Sequence, residues 1–310
     1  MSLLQKPWIW SWIGTLAVCL VIIGISGLGA GTQVLSAALS FGTFFVIVAI
    51  GQMFVVTLGP GNVDLSIPAC MTLASTVAMK VMGGSSTMLL PGLLIAIAIG
   101  TIIGLLNFGL IRLLRIPPII ATLSSSFLFQ STAIWYNRGL RVKPPEPLAD
   151  FATAKLAGVP LLAILVLVLT VIMHVILHHS LFGRAVLAVG QNSRAASLAG
   201  IKVERTRLLT YLTSAVLAAI CGFFLAGFSG GAALNMGEEY LLMSIAVVVI
   251  GGTSVAGGFA NLPGLWGASL FMFLLVTMLN TLGLSAGIRL ILTGAIIVGV
   301  IAISGRRGRT

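Results

Sequence analysis

Acidic side chains are nearly absent. Asp and Glu together number six in 310 residues, and Asp64 is the only one ahead of Glu146. All charged residues make up 7% of the chain, whereas a soluble domain carries about 25%. That shortage excludes a soluble globular protein and a paired-carboxylate active site in a water-filled pocket. Cysteine is scarce too. Cys19, Cys70 and Cys221 lie far apart in apolar runs, with no CxxC and no Cys/His metal spacing. They read as small buried hydrophobes. No HExxH occurs, and His178 and His179 read as interfacial residues at a helix end. No glycine-rich loop ends in GK[ST], the ending that supplies a phosphate-binding lysine. The chain is therefore expected to hold no nucleotide, metal or other cofactor of its own. Long polar, Pro-rich or Ser-rich linkers are also missing, so residues 1–310 read as a single domain.

What fills the chain is apolar sequence, 58% of it. Runs near the bilayer-crossing length fall at 8–28, 35–57, 65–83, 88–111, 119–136, 157–178, 208–229, 240–257, 262–283 and 288–304. An all-α, polytopic membrane protein of about ten helices follows, inserted in a cytoplasmic membrane and in contact with lipid. Trp8, Trp10 and Trp12 cluster where the first run begins, as an interfacial belt would. Basic residues collect at Arg112 and Arg115, in the loop 179–207 and in the tail at Arg306, Arg307 and Arg309. These sites are separated by even numbers of spans, so the positive-inside rule puts all of them, and the C-terminus, in the cytoplasm. The loop 137–156, with Arg138, Arg141 and Lys143, then falls outside against the rule. The net charge of +11 is explained by these loop ends, not by nucleic acid, since there is no soluble basic domain.

Two interruptions stand out. The first is "LGPGNVDLSIPA", Leu58 to Ala69. Pro68 is tolerable only in the first turn of a helix, so Ser66 is placed as N-cap and the third span starts near Ile67. Asp64 then has two readings. It lies at the cytoplasmic interface, helping the dipole of the following helix, or it sits at membrane depth in a break that lines a cavity. The second interruption is "GRAVLAVGQNSRAASLAGIKVERTR", Gly183 to Arg207. Asn192 or Ser193 is a good N-cap and Gly200 a good C′ residue, which leaves about two helical turns between them. A helix that short is not stable alone. It is either an interfacial connector or a docking helix for a cytoplasmic partner. A third stretch, "IGGTSVAGGFANLPG" from Ile250 to Gly264, reads as close helix packing or a tight turn. Gly100–Gly104 and Gly227–Gly231 share the small-xxx-small spacing.

The second interruption resembles the coupling-helix region of permease subunits of ATP-binding-cassette sugar importers of the ribose, arabinose, xylose and galactoside type. That region is a run like "LGRxxxAxGxNxxAAxxxGI". Here it stands as Gly183, Arg184, Ala188, Gly190, Asn192, Ala195, Ala196, Gly200 and Ile201. "VDLSI" (63–67), "GLLN" (104–107), "PPIIATL" (117–123) and "AVVVIGGTSVAGG" (246–258) resemble further blocks of the same family, in the same order. The resemblance implies a permease that dimerises, is driven by a separate ATPase subunit and is fed by a periplasmic sugar-binding protein. It also implies that Asn192, Ser193, Arg194, Ala195, Ala196, Leu198 and Gly200 form the helix that transmits ATPase closure. Two departures bear on substrate and on homodimer versus heterodimer. Leu241 and Met243 stand where the family carries acids, and Pro60 is added before "VDLSI".

Candidate path residues are the polar ones inside the spans and the break: Asp64, Ser66, Asn107, Thr122, Ser124, Ser125 and Gln130. For each the alternative is an interhelical hydrogen bond. The competing function is an ion-coupled secondary transporter built on Asp64 or Arg289, though the spans hold too few titratable groups for a proton relay. A membrane scaffold without transport is a third reading.

Overall fold

The computed structural model describes residues 7–137, 142–285, 287–288, 291–292, 294–296 and 298–299. Twelve helices are described: α1 (Pro7–Ser26), α2 (Leu28–Thr57), α3 (Ile67–Met82), α4 (Leu89–Leu113), α5 (Pro118–Tyr136), α6 (Glu146–Thr153), α7 (Leu161–His179), α8 (Leu181–Gln191), α9 (Ser193–Leu198), α10 (Val203–Phe228), α11 (Glu238–Ile250) and α12 (Leu262–Thr281). The described strands are β1 (Lys155–Leu156) and β2 (Val159–Pro160), an antiparallel pair. Among the described residues six helices are long and apolar enough to cross a membrane: α1, α2, α4, α7, α10 and α12. The molecule is therefore an all-α polytopic membrane protein, and the expected tenth span, 288–304, lies mostly outside the described residues, as do Arg289 and the C-terminal basic residues.

Several boundaries differ from the sequence reading for local reasons. The sixth expected span starts at Leu161, not 157, because Ala157 and Gly158 turn the short hairpin with φ of +50° and +84°. The eighth ends at Ile250, not 257, because Gly252 takes a φ of +90° and the following stretch coils. The segment 179–193 is not a plain loop but mostly helix α8, with Val186 and Val189 buried along one side. Helix α6 puts Leu148 and Ala152 into the core from the far loop, where the sequence reading had no helix.

Helix α10 is the hub. Gly100 and Gly104 of α4 lie against it so closely that a Cβ on either would sit about 2.8–2.9 Å from Ala215 O or Leu212 Cα. Glycine on α4 lets the two backbones approach, the close packing that a small-xxx-small pair allows. The second pair does not act this way. Gly227 meets Leu148, and Gly231 lies past the end of α10. Helix α1 runs beside α12, with Thr15 Oγ1 donating to Gly267 O at 2.7 Å. The ends of α4, α7 and α2 and the starts of α5, α10 and α12 lie on one side, which carries Arg112, Arg184, Arg194, Lys202, Arg205 and Arg207. This side is the basic face of the molecule. Arg112 Nε meets Glu204 Oε2 there at 3.0 Å, tying α4 to α10.

Candidate functional site

Helix α2 stops at Thr57 because Gly59 and Gly61 take φ of +115° and +78° and turn the chain. Residues 58–66 then run back into the protein before α3 begins. Asp64 is fully buried in that return. Its Oδ1 accepts from the Ser66 amide at 3.0 Å and from Ser66 Oγ at 2.6 Å. Its Oδ2 accepts from Ser214 Oγ of α10 at 2.7 Å. Ser66 Oγ, having donated its proton, accepts from Asn107 Nδ2 of α4 at 2.7 Å. Asn107 Oδ1 accepts from Ser125 Oγ of α5 at 2.5 Å. The result is a directional chain in which α5, α4, the break and α10 all feed donors toward one carboxylate. Such chains polarise each other and are worth most when every member is satisfied.

The backbone of the break is held in the same way. The Asp64 amide donates to Gln52 Oε1 of α2 at 3.2 Å, and the Leu65 amide to Thr122 Oγ1 of α5 at 3.1 Å. Tyr211 of α10 donates its hydroxyl to Asn62 Oδ1 at 3.2 Å. Irregular backbone at membrane depth is tolerated only when protein or trapped water satisfies it. Here side chains of two helices, α2 and α5, satisfy its amides, and Tyr211 of α10 holds the Asn62 side chain.

Asp64 is thus enclosed by protein on all sides rather than open to solvent. Gln52, its partner, lies five residues before the end of α2, about 7–8 Å inside the basic face. The desolvation of a carboxylate at that depth is offset by three donors. Ser66 does occupy the N-cap of α3, with Pro68 in the first turn. Its hydroxyl makes no cap bond because Asp64 and Asn107 engage it.

Five of the seven expected path residues, Asp64, Ser66, Asn107, Thr122 and Ser125, belong to this node and are fully buried. The other two do not join it. Ser124 points outward from α5, and Gln130 donates to Leu234 O at 2.7 Å further along that helix. Gln52, Asn62, Tyr211 and Ser214 were missed by sequence reasoning. The available signal was their polarity inside long apolar helices or the break, with Tyr211 and Ser214 three apart on one face of α10.

On the basic face, α8 and α9 form a hairpin between α7 and α10. Asn192 is the N-cap of α9. Its Oδ1 accepts from the Arg194 and Ala195 amides, both at 3.0 Å. Gly200, at φ +84°, ends it. The Gly200 amide donates to Ser197 O and the Ile201 amide to Ala196 O, each at 3.0 Å, which is a Schellman closure. Ser193, Arg194 and Ala195 are exposed and only Ala196 is buried. Leu198 is 85% exposed. The caps at both ends thus hold a helix that covers little of the protein beneath it.

The hairpin is tied to the core through glycine. A Cβ on Gly190 of α8 would overlap Thr57 O, the end of α2, and the amide of Gly258. That amide donates to Thr57 O at 3.0 Å, and Gln191 Nε2 reaches Gly258 O at 3.4 Å. The stretch Ile250–Gly264 accordingly combines turns with close packing, Gly264 of α12 lying against the Gly251 carbonyl, and it joins α8 to α2 just ahead of the Asp64 break.

Comparison with known proteins places this architecture. A family model described as "Branched-chain amino acid transport system / permease component" matches residues 13–301. A ribose import permease protein of Bacillus subtilis is 32% identical over 259 residues, 81% of this chain and 78% of that protein. An autoinducer 2 import system permease protein of Yersinia enterocolitica is 27% identical over 303 residues, 94% of this chain and 91% of that protein. A second such protein, of an Enterobacter species, is 28% identical over 306 residues, 98% and 88% of the two chains. No solved structure matches. With the family model spanning nearly its whole length, the chain belongs to the family of branched-chain amino acid transport system permease components.

Proposed function

We propose that the protein is the membrane subunit of an ATP-driven importer that moves a monosaccharide or similar small polar solute into the cytoplasm. The observation that carries this reading is helix α9. It is capped at both ends, exposes Leu198, and is fixed through Gly190 to the end of α2, in a permease chain with no nucleotide-binding loop of its own. A separate ABC-type ATPase subunit, which binds the ATP, would seat on Asn192, Ser193, Arg194, Ala195, Leu198 and Gly200, with Ala196 holding the helix to the core. Its closure would push α8 against α2 and so move the Asp64 node between two packed arrangements. Relatives named for the import of ribose and of autoinducer 2 support a small polar solute.

In this reading ten segments cross the bacterial inner membrane, with α3, α5 and α11 as shorter members and the last segment following α12. The basic face and the C-terminus are cytoplasmic, as the positive-inside rule requires. Two copies, or this chain with a paralogue, form the path, and a periplasmic binding protein delivers the solute. Ser124 and Gln130 are the candidates to meet solute. Asp64, Ser66, Asn107, Thr122 and Ser125 contribute by holding the break in shape.

The test is reconstitution in liposomes with the ATPase and binding protein, following labelled ribose and related sugars. Uptake that needs both partners and ATP is expected. Uptake driven by an ion gradient without ATP would overturn the reading in favour of a secondary transporter.

A further inference from the structure

A cavity of about 240 Å³ opens on the basic face beside the Asp64 node. Its floor is Tyr211, buried and bonded to Asn62. Its apolar wall is Phe108 and Ile111 of α4, and its rim holds Arg112, Glu204 and Arg207. Both guanidiniums share one carboxylate: Arg112 Nε meets Glu204 Oε2 at 3.0 Å, and Arg207 donates to Glu204 Oε1 at 3.1 Å. Two cations and one anion leave the rim with one net positive charge. Each guanidinium commits one nitrogen to Glu204, and its remaining N–H groups have no hydrogen-bond partner among the described residues.

This is a cavity that is short of one negative charge and rich in donors of planar geometry, which suits a phosphate oxygen pair. It also lies where α4 ends and α10 begins, the end of the spans at which the positive-inside rule expects the cytoplasmic headgroups, with exposed Leu105, Leu113 and Leu114 on and just past α4. We propose that the cavity binds the phosphodiester headgroup of an anionic lipid of the inner leaflet, with an acyl chain lying along Leu105 and Phe108. A phosphodiester carries one negative charge and so neutralises the rim. Basic pockets between membrane helices on the cytoplasmic side bind anionic headgroups by this chemistry. Arg207 sits in the first turns of the helix that follows α9, so the bound lipid would steady the base of the hairpin.

The test reads binding and not transport, so it stands apart from the function proposed above. The full chain is placed in phosphatidylcholine nanodiscs carrying either phosphatidylglycerol or phosphatidylethanolamine, and retained lipid is counted by native mass spectrometry. Phosphatidylglycerol is expected to be retained and phosphatidylethanolamine not. Arg112→Gln removes the net charge and should weaken retention about tenfold, the scale of one charge-assisted hydrogen bond. Glu204→Gln raises the net charge and should strengthen retention. These opposite shifts separate binding from mere structural damage, which would weaken both. Equal retention of the two lipids overturns the proposal, as does weakening by both substitutions. Displacement of phosphatidylglycerol by millimolar inorganic phosphate in detergent would overturn it in favour of a soluble anion.

Discussion

Ser214 donates a 2.7 Å hydrogen bond to Asp64, a residue 150 positions earlier in the chain. The bond joins the middle of α10 to the break between α2 and α3. It makes the carboxylate the meeting point of elements that are remote in sequence.

Asp64→Asn keeps the shape but replaces one acceptor oxygen with a donor, which must then face Ser214 or Ser66. A buried acceptor replaced in this way costs about 2–4 kcal/mol. Ser214→Ala removes one donor to a charged acceptor and costs about 1.5–3 kcal/mol. Thermal unfolding of the purified chain in detergent measures both. The double variant should cost less than the two single costs summed, since the two residues share one contact. Strict additivity would dissolve the node.

Gly190→Ala inserts a methyl group against Thr57 O and the Gly258 amide. Neither neighbour is a side chain that can rotate away. The backbones must part, at about 1–3 kcal/mol by analogy with overpacked cores. In proteoliposomes with its ATPase, the variant should keep ATP hydrolysis but lose most solute uptake. Unchanged uptake would show that α8 does not drive α2.

The two ends of α9 should separate stability from docking. Asn192→Ala loses a side-chain cap to two amides and should destabilise by about 1 kcal/mol. Leu198→Asp changes an 85% exposed side chain and should shift stability by less than about 0.5 kcal/mol. It should nevertheless reduce co-purification of the ATPase subunit. The reverse pattern would make Leu198 a packing residue.

Cysteine labelling checks the depth of the break. A cysteine at Asn62, which is half-buried at the cavity by Tyr211, should react with a charged maleimide from the cytoplasmic side of oriented vesicles. A cysteine at Asp64, fully enclosed, should react only after denaturation. Labelling of both from the periplasmic side would invert the orientation derived from the basic residues.

Local features were legible in advance. Asn192 or Ser193 stood out as a cap and Gly200 as a stop because capping depends on a few neighbouring residues; Asn192 is the cap and Gly200 ends the helix. Pro68 marked the first turn of α3 for the same kind of reason. Helix α8 was hidden because "GRAVLAVG" carries two glycines and Arg184, which read as loop, and its helicity depends on Val186 and Val189 finding the core. Helix α6 was hidden likewise, since its eight residues gain stability only by burying Leu148 and Ala152.

The sequence by itself determined that this chain lives in a membrane, roughly where its apolar helices run, and which short helix is capped between two of them. Those properties follow from composition and from interactions within a few residues. Only the tertiary structure decided where Asp64 lies and what it meets. Gln52, Asn107, Ser125 and Ser214 are spread over four helices, and no spacing in the chain pairs them. They converge because a carboxylate inside a membrane protein must collect donors from whichever helices pack around it.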